Sequence, residues 1–305
     1  FFENDIRKTK TEKITKKFKD FKIILLENIR FYEEEENNDE SFSKILSSFG
    51  DIFINECFSA SHRSHSSIIG IPKFLPSFPG LLLENEVKNL KKIIAYDGSN
   101  NSVAVVGGSK ISTKIHIIEF LLKNFNHLLI GGAMANTFLS AQGKQIGSSF
   151  YERSMVKIAK ELLDISKEKI FLPDDVVVQK NNSENSCIKS LKEDLISKNE
   201  NIFDIGPKTR IKFSEKILSS NKVLWNGPLG MFEKKPFDLG TKFVVQKMIN
   251  NQKKNFFSVA GGGDTISMLK QFNAFNGFSY VSTGGGAFLE FIQGKDLPGL
   301  VFLNK

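Results

Sequence analysis

The segment FFSVAGGGDTISMLKQFNAFNGFSYVSTGGGAFLEFI, residues 256–292, contains one pattern twice. An apolar run (256–260, then 278–282) meets three glycines (261–263, then 284–286), and each triplet precedes a segment with helical apolar spacing. Glycines let backbone N–H groups approach a phosphate closely, and a helix N-terminus adds its positive dipole end. A single glycine run is typical of a βα turn without a ligand, but two successive triplets favour phosphate binding.

Length and composition predict a two-domain soluble protein. The chain has 305 residues, and 40% hydrophobic with 25% charged residues is ordinary for a globular protein that can bury a large core. Its 42 Lys and Arg against 34 Asp and Glu give a net charge of +8, which fits anionic ligands or simply a Lys-rich surface.

Several classes of partner are disfavoured. The most basic run, Arg7–Lys22, also carries acidic residues and reads as a solvated helix face, so nucleic acid is only an alternative partner. Cys57 and Cys187 lack metal-ligand spacing and indicate free thiols in a reducing compartment. No apolar run could span a bilayer and no signal sequence is visible. We therefore expect a cytoplasmic monomer that binds small molecules and neither nucleic acid nor membranes.

From residue 103 onward strand and helix patterns alternate, which is typical of a doubly wound parallel sheet with ligands at the carboxyl ends of its strands. Residues 180–200, rich in Asn, Ser and Lys, are expected to form a surface excursion. The amphipathic helix at 83–95 lies between a proline-rich break and the loop 97–101, so we expect a domain boundary along it.

Two lysines follow another strand and glycine pair, in VAVVGGSKISTK (103–114). Lys110 is expected at the helix entry, and Lys114 one turn later on the same face, since residues four apart align on a helix. Two ammonium groups at a strand end suit a phosphoryl group. The alternative is two surface lysines.

Three polar residues follow strands or glycines elsewhere. Asn226 could bind a phosphate or cap a turn. Glu233 could accept from ribose hydroxyls or be merely exposed. Asp264 could be an N-cap, a Mg²⁺ ligand, or both.

The cluster SASHRSHSS (59–67) contains His62, Arg63 and His65, which could bind an anion, and Arg30 is either a second anion contact or a surface residue. No nucleophile stands beside a base. Phosphate cradles, lysines and a possible Mg²⁺ ligand fit phosphoryl transfer, which needs positioning and charge stabilisation more than covalent steps.

Together these segments resemble the phosphoglycerate kinase family, in order and through nearly the whole chain. The matching segments are LLENIRF (25–31), INECFSASHRSHSS (54–67), VVGGSKISTKI (105–115), IGGAMANTFL (130–139), DIGPKT (204–209), WNGPLGMFE (225–233), AGGGDT (260–265) and STGGGAFLEFIQGKDLPG (282–299).

The resemblance implies an α/β kinase of two Rossmann-like, doubly wound parallel-sheet lobes joined by a hinge helix. It implies reversible phosphoryl transfer between 1,3-bisphosphoglycerate and ADP, giving 3-phosphoglycerate and ATP with Mg²⁺. The implied divisions are a partial phosphoglycerate-binding lobe at 1–82, the hinge at 83–96, a nucleotide-binding lobe at 97–290 and a segment at 291–305 returning towards the first lobe.

The resemblance also implies residue roles. Lys110, Gly285 and Gly286 would act on the moving phosphoryl group, and Arg30, His62 and Arg63 would bind phosphoglycerate. Asp264 would hold the metal. The residues implied for the nucleotide are Lys114, Asn226, Glu233, Gly262, Gly263 and Thr265.

The chain departs from the family at its start and at two internal positions. The family's first strand, with Asp-Phe-Asn, and a His-Leu-Gly-Arg segment have no counterpart, while Glu56 and Ser59 stand where Asp and Gly are usual. We therefore expect an incomplete N-terminal lobe and poor turnover by the chain as given. The alternative is a non-catalytic Mg-nucleotide-binding module derived from such a kinase.

Overall fold

The computed structural model describes residues 2–3, 6, 22–95, 101–166, 168–251 and 253–304. Most of the predicted helix face at 7–22 and of the loop at 97–101 lies outside these residues. The chain divides into two units, one formed by 1–88 with 294–305 and the other by 89–293. None of the described helices combines the length and the apolar character that crossing a bilayer requires.

The first unit contains two short parallel strand pairs. β1 (Phe2–Glu3) pairs with β2 (Leu25–Leu26), and β3 (Phe53–Asn55) pairs with β4 (Ser77–Pro79). Two helices lie between these pairs in sequence, α1 (Glu33–Glu36) and α2 (Glu40–Ser47).

The core of the first unit forms around α2 because apolar residues recur at helical spacing on one of its faces. Asp39 begins the helix, since its carboxylate accepts a hydrogen bond from Phe42 N at 2.8 Å. Phe42 and Leu46 then pack with Tyr32 and Ile71. Helix α3 (Leu81–Ile94) follows β4, and the boundary between the two units falls within it.

The second unit is built on a six-stranded parallel sheet, which confirms the predicted α/β class. Its strands are β5 (Ser102–Val106), β6 (His127–Ile130), β7 (Ile170–Phe171), β11 (Lys222–Asn226), β12 (Phe257–Gly261) and β13 (Tyr280–Ser282). The central strands are almost continuously apolar and buried because helices cover both faces of a parallel sheet. Trp225 on β11 is fully buried in this core.

The helices of the second unit lie between its strands in the chain or after the last of them. They are α4 (Ile115–Asn124), α5 (Gly132–Ala141), α6 (Val156–Ile165), α7 (Pro207–Ser219), α8 (Leu239–Ile249), α9 (Gly263–Gln271) and α10 (Gly286–Ile292). Helices α5 and α6 follow one another between β6 and β7. The short α11 (Pro298–Val301) belongs to the first unit, where Gly299 N donates to Ser61 O at 2.8 Å.

A three-stranded antiparallel sheet includes part of the predicted surface excursion at residues 180–200, most of which is exposed or half-buried. Strands β8 (Asp175–Lys180), β9 (Ser186–Ser190) and β10 (Glu200–Ile205) lie in the order β10-β8-β9. Residues 176–178 therefore belong to this second sheet, and the expected excursion contains β9. Strand β9 is largely exposed, so its polar sequence gave no apolar alternation from which it could be recognised.

Candidate active site

The order of the large sheet, β13-β12-β11-β5-β6-β7, reverses between β5 and β11. In doubly wound folds, ligands bind in the crevice beyond the carboxyl ends of the strands at such a reversal. Here the loops after these strands hydrogen-bond to one another. Gly107 N donates to Asn226 O at 3.0 Å, and Gly108 N donates to Pro228 O at 3.0 Å. The glycine turns thus form one connected edge.

The two lysines do not share a helix face, so that expectation is wrong. Helix α4 begins at Ile115, and Lys110–Lys114 form a turn before it. Lys110 is exposed, whereas the Lys114 amine turns inward and donates to Gly107 O at 2.8 Å and Asn226 O at 3.3 Å. The amine therefore lies between the ends of β5 and β11.

Burial lowers the pKa of Lys114 from its ordinary value of 10.5 to about 8, and the negative charge of Asp264 opposes that change. The two carbonyl oxygens that accept from this amine are uncharged. An anionic ligand would therefore compensate this buried charge.

The first glycine triplet makes a tight turn against β11. Gly262 has φ = 102°, and a Cβ atom placed on it would lie 2.6 Å from Asn226 Nδ2, so glycine is required here. Asn226 Nδ2 donates to Gly261 O at 2.7 Å, and Thr265 Oγ1 accepts from Gly227 N at 2.8 Å. Asn226 thus joins two strand ends instead of capping a turn.

The side chain of Asn226 is only partly satisfied by these contacts. Its Oδ1 is buried and has no hydrogen-bond partner among the described residues. Buried polar atoms without partners are uncommon in native proteins, and a ligand or water is one explanation.

A cavity of about 580 Å³ opens beside these turns. Glu233 and Asp264 both line it, so the structure brings together these two predicted residues. Its apolar wall comes from the antiparallel sheet and the neighbouring loops, through Phe150, Ile202, Phe203, Met231 and Phe232. An apolar wall with a few polar groups is the usual lining of a small-molecule site.

Asp264 lies in the first turn of α9, whose N-cap residue is Gly262. The N-cap role considered for Asp264 is therefore absent. No group of three or more His, Cys, Asp or Glu side chains suited to a metal occurs among the described residues. A single carboxylate beside a phosphate cradle fits Mg²⁺, which usually takes one or two protein carboxylates and completes its shell with phosphate oxygens and water.

The second glycine triplet ends in open space. Gly285 has φ = 55°, and nothing lies within 4 Å of a Cβ atom placed on it. Gly286 begins α10. The backbone at this turn is therefore accessible to a ligand.

The predicted basic residues of the first unit lie on two segments that contact each other. Glu35, which follows the turn carrying Arg30, accepts from Ser67 N at 2.9 Å and lies 3.6 Å from His65 Nδ1. Arg30 is exposed. His62 Nδ1 and Arg63 Nε are buried without partners within the described part of the chain. Such unsatisfied groups fit an anionic ligand.

Sequence reasoning missed Glu152, which holds the lysine-bearing turn. Its carboxylate accepts from Ser112 N at 3.0 Å and Ser112 Oγ at 2.5 Å. Burial acts to raise the pKa of Glu152, but the hydrogen bonds from Ser112 and the charge of Lys110 hold it below its usual value. The apolar residues of the cavity wall were not predicted either. Phe203 directly precedes the segment DIGPKT, and this position was the signal by which it could have been found.

Comparisons with known proteins agree with this arrangement. The family model described as phosphoglycerate kinase matches residues 1–295. A curated phosphoglycerate kinase from Orientia tsutsugamushi (strain Ikeda) is 43% identical over 289 residues, which cover 93% of this chain and 71% of that protein.

Two solved structures are also similar. Phosphoglycerate kinase from Coxiella burnetii has a TM-score of 0.86 at 39% identity, with 92% of this chain and 72% of that chain covered. Phosphoglycerate kinase from Pyrococcus horikoshii OT3 has a TM-score of 0.83 at 29% identity, with 99% and 78% covered.

Proposed function

The chain belongs to the phosphoglycerate kinase family, a family of phosphotransferases, and on that basis we propose its reaction and the residues that perform it. The reaction is the glycolytic, reversible transfer of a phosphoryl group between 1,3-bisphosphoglycerate and ADP, giving 3-phosphoglycerate and ATP. The observation that carries the proposal is the Lys114 amine held between the ends of β5 and β11, beside a cavity lined by Asp264 and Glu233.

ADP or ATP occupies that cavity in the proposal. Its base lies against the apolar wall that includes Phe203, and Glu233 accepts from the ribose hydroxyls. Its phosphates lie at Gly262, Gly263 and Thr265, where backbone N–H groups and the first turn of α9 favour negative charge. Lys114 and Asn226 complete the phosphate end.

Asp264 is the proposed protein ligand of Mg²⁺. Mg²⁺ held there would supply positive charge to offset the negative charge that develops on the phosphates during transfer. The residues of the chain then act by position and charge. The exposed Lys110 amine follows the moving phosphoryl group, and the N–H groups of Gly285 and Gly286 donate to its oxygens.

A general base is unnecessary because the group attacked by ADP is an acyl phosphate with a carboxylate leaving group. This agrees with the lack of a nucleophile–base pair in the sequence. Arg30, His62 and Arg63 of the first unit bind the carboxylate and phosphate of phosphoglycerate in this proposal, Arg doing so with paired hydrogen bonds.

Two exposed free thiols, Cys57 and Cys187, support a cytoplasmic location.

Calorimetric titration with ADP, with and without Mg²⁺, tests the nucleotide site. We expect binding that strengthens with Mg²⁺. A folded sample that produces no binding heat would overturn the proposal.

A coupled assay of ATP formation tests transfer, with Lys110→Met as the variant. We expect slow ATP formation by the unmodified chain, and Lys110→Met should lose this turnover but still bind MgADP. Lys123→Met, which replaces an exposed lysine on α4, should leave both unchanged. If Lys110→Met turned over as fast as the unmodified chain, Lys110 would have no catalytic role. Tight nucleotide binding without any transfer would favour a non-catalytic Mg-nucleotide-binding module instead.

A further inference from the structure

A buried carboxylate lies behind the apolar wall of the nucleotide cavity and has no part in the proposed reaction. Asp204 is on β10, and its side chain has no solvent-exposed surface. The two residues before it, Ile202 and Phe203, line the cavity. Buried carboxylates are rare unless paired or hydrogen-bonded, so the contacts of this group are informative.

The Asp204 carboxylate accepts hydrogen bonds from three elements. Oδ2 accepts from Gly240 N at 2.6 Å, in the first turn of α8, and from Arg210 Nη2 of α7 at 3.4 Å. Oδ1 accepts from Ile205 N at 2.8 Å. One side chain therefore connects β10 to two helices, α7 and α8.

The carboxylate also packs directly on the loop that follows β11. Gly230 and Gly240 both touch it, and a side chain at either position would overlap its oxygens. Gly230 lines the cavity, and the next residue, Met231, donates its N–H to Phe203 O at 2.8 Å. A displacement of Asp204 would therefore move both Phe203 and the Gly230–Met231 segment.

We propose that Asp204 is a positioning residue for the nucleotide cavity, holding Gly230–Met231 and the start of α8 against β10 at the spacing that the nucleotide requires. The inference deepens the proposed function and rests on it, since MgADP is the ligand. Asp204 acts through Phe203 and Met231, which form the wall, and does not touch the nucleotide.

The charge of Asp204 changes within the neutral pH range. Burial raises its pKa to about 7, against the opposing effects of Gly240 N–H and the Arg210 guanidinium, and Asp238 raises it further. Asp238 is itself buried, and its Oδ1 lacks a partner within the described residues.

Other charged side chains lie on the elements around β10. Helix α5 packs against β10 and carries no ionisable side chain. Strand β8 carries Asp175 and Lys180, and α8 carries Lys242 and Lys247. Helix α7, which bears Arg210, also carries Lys208, Lys212, Glu215 and Lys216, and β10 itself carries Glu200.

Protonation removes one of the hydrogen-bond acceptors of Asp204. The hydrogen bonds from Gly240 N and Arg210 to this side chain are therefore strongest when it is ionised. Nucleotide affinity should therefore contain a component that increases as the pH rises through about 7. Asp204→Asn is neutral at every pH and presents an NH₂ group to one of the same donors. This variant should behave like the protonated form throughout.

The experiment is calorimetric titration of the full chain with MgADP across the pH range around neutrality. The phosphates of ADP and the amine of Lys114 also titrate, but they contribute equally to the unmodified chain and to Asp204→Asn. We expect Asp204→Asn to bind MgADP about tenfold more weakly on the alkaline side, as for the loss of one hydrogen bond, and near-equal affinities on the acid side. Asp164→Asn, an exposed carboxylate on α6, is the matched control and should follow the unmodified chain.

Asp238→Asn provides a second test that leaves Asp204 in place. Removing the neighbouring negative charge should move the pH midpoint of the effect downward, and this variant decides the matter if Asp204→Asn does not fold. An unmoved midpoint would overturn the inference, as would identical pH profiles for Asp204→Asn and the unmodified chain. Absence of MgADP binding at every pH would overturn the proposed function instead.

Discussion

Replacing Lys114 by Met should stabilise the second unit while removing nucleotide affinity. Burial lowers the pKa of this amine from 10.5 to about 8, so folding disfavours its charged form by up to about 3 kcal/mol. Methionine has a similar length and no charge to bury. The variant loses the hydrogen bond to Gly107 O, which lowers the free energy of unfolding by about 1–2 kcal/mol. Asn226 O still accepts its hydrogen bond from Gly107 N. The net expectation is a gain of about 1–2 kcal/mol at neutral pH.

The pH dependence of this gain tests its cause. Because the folded chain releases the proton of Lys114 more readily than the unfolded chain, stability rises with pH between about 8 and 10.5 in the unmodified chain but not in the variant. The advantage of Lys114→Met is therefore complete below about pH 8 and is lost progressively above it.

Urea unfolding followed by the fluorescence of Trp225, the single tryptophan, measures this difference at neutral and alkaline pH. Lys123→Met, on the surface of α4, is the control and should leave stability unchanged. A Lys114→Met variant that is less stable than the unmodified chain at neutral pH, or whose advantage does not change with pH, would contradict this explanation.

Three further substitutions test the phosphate end of the site. Asp264→Asn should weaken MgADP binding at least about tenfold while metal-free ADP binds as before, because Mg²⁺ loses its protein carboxylate; calorimetry with and without a chelator measures this. Gly262→Ala should cost about 1–3 kcal/mol in urea unfolding, since φ = 102° strains any side chain, whereas Gly263→Ala meets nothing within 4 Å and should be nearly neutral. Thr265→Val leaves the N–H of Gly227 without its acceptor and should cost about 1–3 kcal/mol, while Thr265→Ser should restore most of that stability.

The sequence predicted the features that require particular residue types. Gly262 could be recognised because only glycine accepts φ = 102° beside Asn226 without strain. The parallel sheet could be recognised because buried parallel strands are continuously apolar and alternate with amphipathic helices. Within the second unit, these signals also placed Asp264 and Glu233 near the same strand ends, and both line one cavity.

Features that depend on tertiary packing were not visible in the sequence. Lys110 and Lys114 are equivalent by spacing, but α4 begins one residue after Lys114, so that the second amine turns inward and the first stays exposed. In the sequence, Asp204 cannot be distinguished from an ordinary exposed polar residue. It can be buried because Gly230 and Gly240, which are distant in the chain, leave room for its carboxylate. Strand β9 was missed because an exposed edge strand can be polar on both faces.

The proposed nucleotide cavity is lined by residues of two sheets, and the two sheets differ in how well their lining residues can be recognised in a sequence. The parallel sheet supplies the phosphate end, where backbone N–H groups and buried charge demand glycine, lysine and aspartate at fixed positions. The antiparallel sheet supplies the apolar end through Ile202 and Phe203, where any apolar side chain of suitable volume can serve. The residues at the phosphate end can therefore be recognised in the sequence. In the proposed function, selectivity for the base depends on how β10 is held. We infer that Asp204 holds that strand, so a residue without a recognisable sequence signal bears on this selectivity.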